Sequence, residues 1–83
     1  MMQVLLSPKA IKSFAKINEL MKSRIIGALA RLEHEPMQGD IKSLSGQNGY
    51  RVRVGEYRIM FTIVNGVITI ANIAPRGGAY KRR

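Results

Sequence analysis

The sequence predicts an α+β fold, in which an N-terminal strand and a helical hairpin precede a three-stranded antiparallel meander (β-α-α-β-β-β). Three observations support this. Apolar residues recur at helical spacing between residues 7 and 33, whereas they alternate with other residues between 49 and 61, as in a strand. The dipeptide Asn65-Gly66 is a strong signal for a two-residue turn between strands. We therefore expect a single domain over residues 1–83, with the helices packed on one face of the sheet.

The N-terminal half is predicted to form the first strand and both helices. Gln3–Leu6 is a short apolar run that reads as a strand. Ser7 followed by Pro8 is typical of a helix start, because the hydroxyl can accept a backbone N–H and proline suits the first helical position. Asn18 is expected to end this helix or to cap the next one, which spans about residues 19–33. The apolar residues expected on the buried helix faces are Ile11, Phe14, Ala15, Ile17, Met21, Ile25, Ile26, Leu29 and Leu32.

The C-terminal half is predicted to be a polar loop over residues 37–48, anchored by Ile41 and Leu44, and then the meander. Two-residue turns at Gly55-Glu56 and Asn65-Gly66 connect the three strands, and their positions fix the register. The predicted cross-strand pairs are Val54–Tyr57, Arg53–Arg58, Arg51–Met60, Val64–Val67, Ile63–Ile68, Phe61–Ile70 and Arg58–Ile73.

Three arginines of the meander are predicted to share one face of the sheet. Side chains alternate between faces along a strand, so Arg51, Arg53 and Arg58 leave on the same side. Like charges directly opposite each other destabilise a sheet. We therefore expect an anionic ligand, with phosphate as the first candidate, that offsets their repulsion. The opposite face is apolar enough to receive the helices, and it holds Tyr57, Ile59, Phe61, Ile63, Ile68 and Ile70.

Composition narrows the class of partner. The 83 residues include 14 Lys plus Arg against 5 Asp plus Glu, for a formal net charge of +9. An excess of this size in a small domain indicates nucleic acid, an acidic protein or an anionic lipid as the partner. The chain has no cysteine, which excludes disulfides and thiolate metal sites. No apolar run approaches the roughly 18–20 residues that span a bilayer, so we expect a cytoplasmic protein with no membrane partner.

Few side chains offer conventional catalytic chemistry. The single histidine, His34, is expected to be a solvated residue at a helix end, and the five carboxylates are dispersed, so neither a metal site nor a cofactor is predicted. A cluster of guanidiniums, however, can stabilise the transition state at a scissile phosphate while the 2′-hydroxyl of RNA acts as nucleophile. Tyr80 can stack on a base or transfer a proton, or it can anchor the C-terminal tail on the domain surface.

The order of elements and three phrases resemble the RelE/ParE toxins of type II toxin–antitoxin pairs. The phrases are SPKAIKSFAKI, IKSLSGQNGYRVRVGEYRIMF and ITIANIAPRGGAYKRR, which together with RIIGALARL cover essentially the whole chain. The match is closer to the RelE branch, and it implies a ribosome-dependent endoribonuclease that cleaves messenger RNA and inhibits translation. A gyrase-inhibiting toxin of the ParE branch is the first alternative. A non-catalytic module that binds RNA or the ribosome is the second.

The resemblance also implies the site and the partners. The partners are messenger RNA on the ribosome and a cognate antitoxin with an acidic contact segment. The implied catalytic residues are Arg51, Arg53, Arg58, Arg76 and Tyr80, and the implied RNA-binding residues are Lys42, Lys81, Arg82 and Arg83.

One departure from the family bears on proton transfer. Arg51 and Arg53 stand where better-understood members carry lysines, and a guanidinium keeps its proton where a lysine can lose one. The general base then falls to Tyr80, to a carboxylate such as Asp40 or Glu56, or to groups of the ribosome.

Overall fold

The computed structural model describes residues 2–34, 41–43 and 49–75. The predicted order of a strand, two helices and then strands in one sheet is confirmed. The prediction of a loop over residues 37–48 is wrong in part, because Ile41–Ser43 forms a short strand. Within the described residues the elements are β1 (Gln3–Leu6), α1 (Pro8–Ala15), α2 (Glu19–His34), β2 (Ile41–Ser43), β3 (Gly49–Val54), β4 (Tyr57–Val64) and β5 (Val67–Pro75).

The strands form one sheet in the order β1-β5-β4-β3-β2. β1 pairs in parallel with β5, and the other neighbours are antiparallel. The helical hairpin supplies the crossover between β1 and the meander, as parallel pairing requires a long connection. β2 extends the sheet on the far side of β3, with Ile41 opposite Val52 and half-buried against the core.

The two predicted turns are confirmed and fix the register of the meander. Gly55 has a φ of 60°, while Asn65 and Gly66 have φ values of 52° and 76°. These positive values suit turns whose twist matches that of the strands they join. As predicted, Val54 lies opposite Tyr57 and Val64 opposite Val67.

A bulge between β4 and β5 overturns one predicted pair. Phe61 lies opposite Ile70 as expected, but Met60 lies opposite Asn72, so Ala71 is an extra residue on β5. In consequence Arg58 faces Ala74 and not Ile73. The extra residue returns Ile73 to the buried face, opposite Ile59, where strict alternation along the strand would have placed it on the arginine face.

The core lies between the helices and one face of the sheet. Its largest fully buried side chains are Phe61, Ile25, Ile59, Ile68, Ile70 and Ile73. Among the helix residues predicted to be buried, Ile17, Ile25 and Leu32 are confirmed, and Phe14, Met21 and Leu29 are partly buried. The prediction is wrong for Ile11 and Ile26, each 56% exposed, and for Ala15. Ala10 and Ala28 occupy the buried helix faces instead, where small side chains let the helices approach the sheet closely.

Polar residues at the helix starts act as predicted. The Ser7 hydroxyl accepts a hydrogen bond from the Ala10 N–H at 3.1 Å and donates one to the Ala71 carbonyl at 2.9 Å. Asn18 caps α2, because its side-chain oxygen accepts from the Met21 N–H at 2.9 Å. Neither helix in the described part of the chain is long and apolar enough to cross a lipid bilayer.

Candidate nucleic-acid interface

Strand register gathers four cations on one face of the sheet. Arg53 lies directly opposite Arg58, and Arg51 lies opposite Met60 on one side and opposite Lys42 on the other. Directly opposed residues share a face, and Arg51 and Arg53 are two residues apart on β3, so all four side chains leave the sheet on the same side. We call Lys42, Arg51, Arg53 and Arg58 the sheet-face cluster.

The helices pack against the other face. Val52, Val54 and Ile59 alternate in sequence with the arginines and are buried in the core. The four residues of the cluster differ in solvent exposure: Arg51 and Arg58 are half-buried, whereas Lys42 and Arg53 are exposed. Partial removal of a guanidinium from water strengthens its attraction to an anion, because the effective dielectric constant is lower there.

Arg53 and Arg58 are directly opposed on neighbouring strands. Val54 and Tyr57 flank the two-residue turn and form a hydrogen-bonded pair of the ladder. The next pair, Arg53 and Arg58, is therefore a non-hydrogen-bonded pair. At such positions the two Cα atoms lie about 4.5 Å apart. Both residues also take part in other interactions within the protein. A phosphate that binds both would add a charge-assisted hydrogen bond to each guanidinium.

The structure describes four of the nine residues that the sequence assigned to the site. Lys42, Arg51, Arg53 and Arg58 are brought together as the sheet-face cluster. Lys42 was expected to reach the arginines only if its loop folded over them, whereas β2 places it beside Arg51 by direct pairing. The assignments that lie outside the described residues are Arg76, Tyr80, Lys81, Arg82 and Arg83, together with the possible base Asp40.

Neither Glu56 nor His34 is on the arginine-bearing strand positions of this face. Glu56 is exposed in the turn after Arg53 and Val54, and His34 is exposed at the end of α2. Within residues 2–34, 41–43 and 49–75, no three His, Asp or Glu side chains gather into a group that could hold a metal ion. The described face carries permanent positive charge and several N–H donors. This combination suits the binding of a phosphodiester.

A groove of about 360 Å³ lies between α2 and the end of β3. Sequence reasoning missed it, although Arg24, Gly27 and Arg31 have the spacing that places residues on one stripe of a helix. We call it the α2 groove. Its lining residues are Arg24, Gly27, Arg31, Arg53, Val54 and Gly55.

Comparisons with known proteins agree with this architecture. Residues 4–80 match the model of a family described as the ParE toxin of the type II toxin–antitoxin system parDE. A comparison with curated protein sequences finds no significant match.

Solved structures of RelE toxins share the fold. RelE in the archaeal RelE–RelB complex from Pyrococcus horikoshii superposes with a TM-score of 0.81 at 26% identity, over 92% of this chain and 96% of that one. The RelB–RelE antitoxin–toxin complex from Methanococcus jannaschii gives 0.79 at 23% identity, over 95% and 98%. The isolated Escherichia coli RelE toxin gives 0.82 at 13% identity, over 100% and 88%.

Proposed function

We propose that this chain, which belongs to the ParE toxin family of type II toxin–antitoxin systems within the RelE/ParE superfamily, is a ribosome-dependent endoribonuclease that cleaves messenger RNA in the cytoplasm. The observation that carries the proposal is the strand register that places Arg51, Arg53, Arg58 and Lys42 on one face. The likeness to RelE toxins supports it, since RelE toxins are the branch expected to act on RNA.

The proposed reaction uses RNA as its own nucleophile. The 2′-oxygen of one nucleotide loses its proton and bonds to the adjacent phosphorus, while the bond from phosphorus to the 5′-oxygen of the next nucleotide breaks. The leaving 5′-oxygen takes up a proton, so the products are a 2′,3′-cyclic phosphate and a 5′-hydroxyl. Negative charge builds up on the phosphoryl oxygens in the pentavalent transition state, and fixed cations around them lower the barrier.

Each cluster residue has a distinct role in this scheme. Arg53 and Arg58 clamp the scissile phosphate, because they are directly opposed and a guanidinium can bind two oxygens at once. Arg51 and Lys42, two residues farther along the ladder, hold the neighbouring part of the backbone. Guanidiniums remain protonated, so these arginines stabilise charge and do not transfer the proton. Proton transfer or base stacking is assigned to Tyr80, with Arg76 as a further phosphate contact.

The proposed regulator is a cognate antitoxin. RelE is bound to the antitoxin RelB in the complexes from P. horikoshii and M. jannaschii. The net charge of +9 on the present chain favours an antitoxin whose contact segment is acidic. Such a segment on the sheet-face cluster would compete directly with RNA and would thereby hold the toxin inactive.

Cleavage of a translated message tests the proposal. Purified ribosomes translating a defined messenger RNA are incubated with the wild-type chain, and primer extension maps any new 5′ ends. We expect cuts within codons for the wild type and none above background for Arg58→Ala. Lys12→Ala removes the same charge from an exposed position on α1 and is the matched control. Circular dichroism confirms that each variant is folded. Equal cutting by Arg58→Ala and wild type would refute the assigned site.

Inhibition of DNA gyrase is the second candidate, and the ParE description of the matching family favours it. The two functions separate in a supercoiling assay with purified gyrase. A gyrase inhibitor would block supercoiling and leave translated messages intact, whereas the proposed nuclease would do the reverse. Ribosome binding with neither effect would instead identify a non-catalytic module.

A further inference from the structure

We propose that the α2 groove is a second phosphate site, which binds the backbone of single-stranded RNA beside the sheet-face cluster. The identity of the polyanion as RNA rests on the proposed function, but binding in the groove is separate from cleavage and is tested separately. The inference rests on the helix stripe that forms one wall, on the open space at Gly27, on the close packing of Arg24 against Gly55, and on a residue shared with the sheet-face cluster.

The helix wall of the groove presents two arginines on one stripe. Arg24, Gly27 and Arg31 are three and four residues apart, so they follow one another along a single side of α2. The rise of a helix puts the two arginines about 10 Å apart along its axis, with the glycine between them. Neither Arg24 nor Arg31 forms an ion pair with another residue that the structure describes.

Gly55 lets Met21 and the Arg24 guanidinium pack closely against the β3–β4 turn. A Cβ atom at Gly55 would lie 3.4 Å from Nη1 of Arg24 and only 3.0 Å from Cε of Met21. Nη1 of Arg24 also lies 3.9 Å from Sδ of Met21. The guanidinium therefore sits against the β3–β4 turn, beside the end of the strand that carries Arg53.

Gly27 keeps the helix wall open. No atom lies within 4 Å of the position that its Cβ would take, so packing against the rest of the domain does not require a glycine there. Glycine lowers helix stability relative to alanine. Its effect at this point is to leave space between two arginines, where a bound phosphate group and its ribose would fit.

Arg53 connects the groove to the sheet-face cluster. It lines the groove and lies directly opposite Arg58 on the strand ladder. An RNA strand held at its scissile phosphate by Arg53 and Arg58 would meet Arg24 and Arg31 as it passes the end of β3 at the β3–β4 turn. The groove volume of about 360 Å³ is near the lower end for ligand sites, which suits a nucleotide-sized group.

The lining favours RNA over an acidic helix of a partner protein. Protein interfaces also use arginines, but their hot spots lie in well-packed, desolvated pockets together with large apolar or aromatic side chains. Among the lining residues that the structure describes, Val54 alone has an apolar side chain, whereas three of the six are arginines. Guanidiniums around a small open space match a phosphodiester better than a hydrophobic anchor.

Salt-dependent binding of RNA tests the proposal. The probe is a fluorescent 2′-O-methyl oligonucleotide, which lacks the nucleophile and cannot be cut, and anisotropy gives its affinity over a range of salt concentrations. For an oligomer of about twelve nucleotides, Arg24→Ala/Arg31→Ala should weaken binding by about tenfold or more. It should also reduce the slope of log affinity against log salt by about 1.4, because two phosphate contacts are lost. An oligomer of about three nucleotides should bind the variant and the wild type alike.

Two further variants separate the site from general charge. Lys9→Ala/Lys12→Ala removes the same charge from exposed positions on α1 and should leave the long-oligomer slope near that of the wild type. Gly27→Leu fills the groove without changing the charge and should weaken binding of the long oligomer alone. The proposal is overturned if the Arg24→Ala/Arg31→Ala and Lys9→Ala/Lys12→Ala variants give equal slopes of log affinity against log salt. It is also overturned if the Arg24→Ala/Arg31→Ala variant no longer binds a polyglutamate peptide but still binds RNA as the wild type does.

Cleavage by the same variants keeps this proposal distinct from the nuclease assignment. A wild-type chain that never cuts, but whose RNA affinity depends on Arg24 and Arg31, would refute the nuclease and support the groove. A wild-type chain that cuts, with an affinity independent of these two arginines, would refute the groove alone.

Discussion

Ser7 joins the start of α1 to the bulge in β5, and its loss should destabilise the domain measurably. Its hydroxyl accepts from the Ala10 N–H at 3.1 Å and donates to the Ala71 carbonyl at 2.9 Å. Ser7→Ala removes a helix N-cap worth about 1 kcal/mol and a second hydrogen bond worth about 1 kcal/mol. The free energy of unfolding should therefore fall by about 2 kcal/mol, which for a domain of this size lowers Tm by roughly 10 °C.

Thermal and urea unfolding followed by circular dichroism measure this change. Ser7→Thr keeps both the donor and the acceptor and should cost little. Ser7→Asp keeps the acceptor for the Ala10 N–H but cannot donate to the Ala71 carbonyl, so its stability should lie between those of wild type and Ser7→Ala. A Ser7→Ala protein within about 0.5 kcal/mol of wild type would show that neither hydrogen bond contributes as argued.

Three other substitutions test separate parts of the fold by the same unfolding measurements. Gly27→Ala should stabilise the protein by about 0.5–1 kcal/mol, because the added methyl meets no atom within 4 Å and improves helix propensity; a loss of stability would contradict the open position. Phe61→Ala should cost about 3–5 kcal/mol, since this ring is 1% exposed, and a cost below about 1 kcal/mol would place it outside the core. Gly55→Ala should cost about 1–2 kcal/mol through its φ of 60°, whereas Glu56→Ala in the same turn is the neutral comparison.

The register of the β3–β4 hairpin was predictable because local chemistry determines it. A two-residue turn with glycine at its first position leaves one pairing for the flanking strands, and Arg53 then lies opposite Arg58. The helix starts were predictable for a similar reason, since Ser7 and Asn18 cap helices through bonds that span three residues.

Features that depend on distant residues were not predictable in this way. β2 has three residues, too few to show a period, and it forms because Ile41 pairs with Val52 and packs against the core. The bulge at Ala71 follows from the need to bury both Ile70 and Ile73 against β4. Helix periodicity also did not show that Ala10, and not Ile11, is buried against the sheet. Which of the two is buried depends on how closely α1 approaches the sheet.

Part of the candidate site could likewise be predicted from the sequence, and part could not. Arg51, Arg53 and Arg58 could be placed on one face from the turn alone, whereas the position of Lys42 beside them required β2. Arg24 and Arg31 could not be connected with Arg53 from sequence, because the α2 groove exists only where α2 packs near the end of β3.

Single-turnover cleavage of ribosome-bound messenger RNA by Arg53→Ala, Arg58→Ala and the double variant tests the central claim most directly. If both guanidiniums stabilise one phosphate, each single change should lower the rate by about 10²–10³-fold, and the double change should cost less than the product of the two. Single variants that cut at rates within about threefold of wild type, with ribosome binding intact, would contradict the claim.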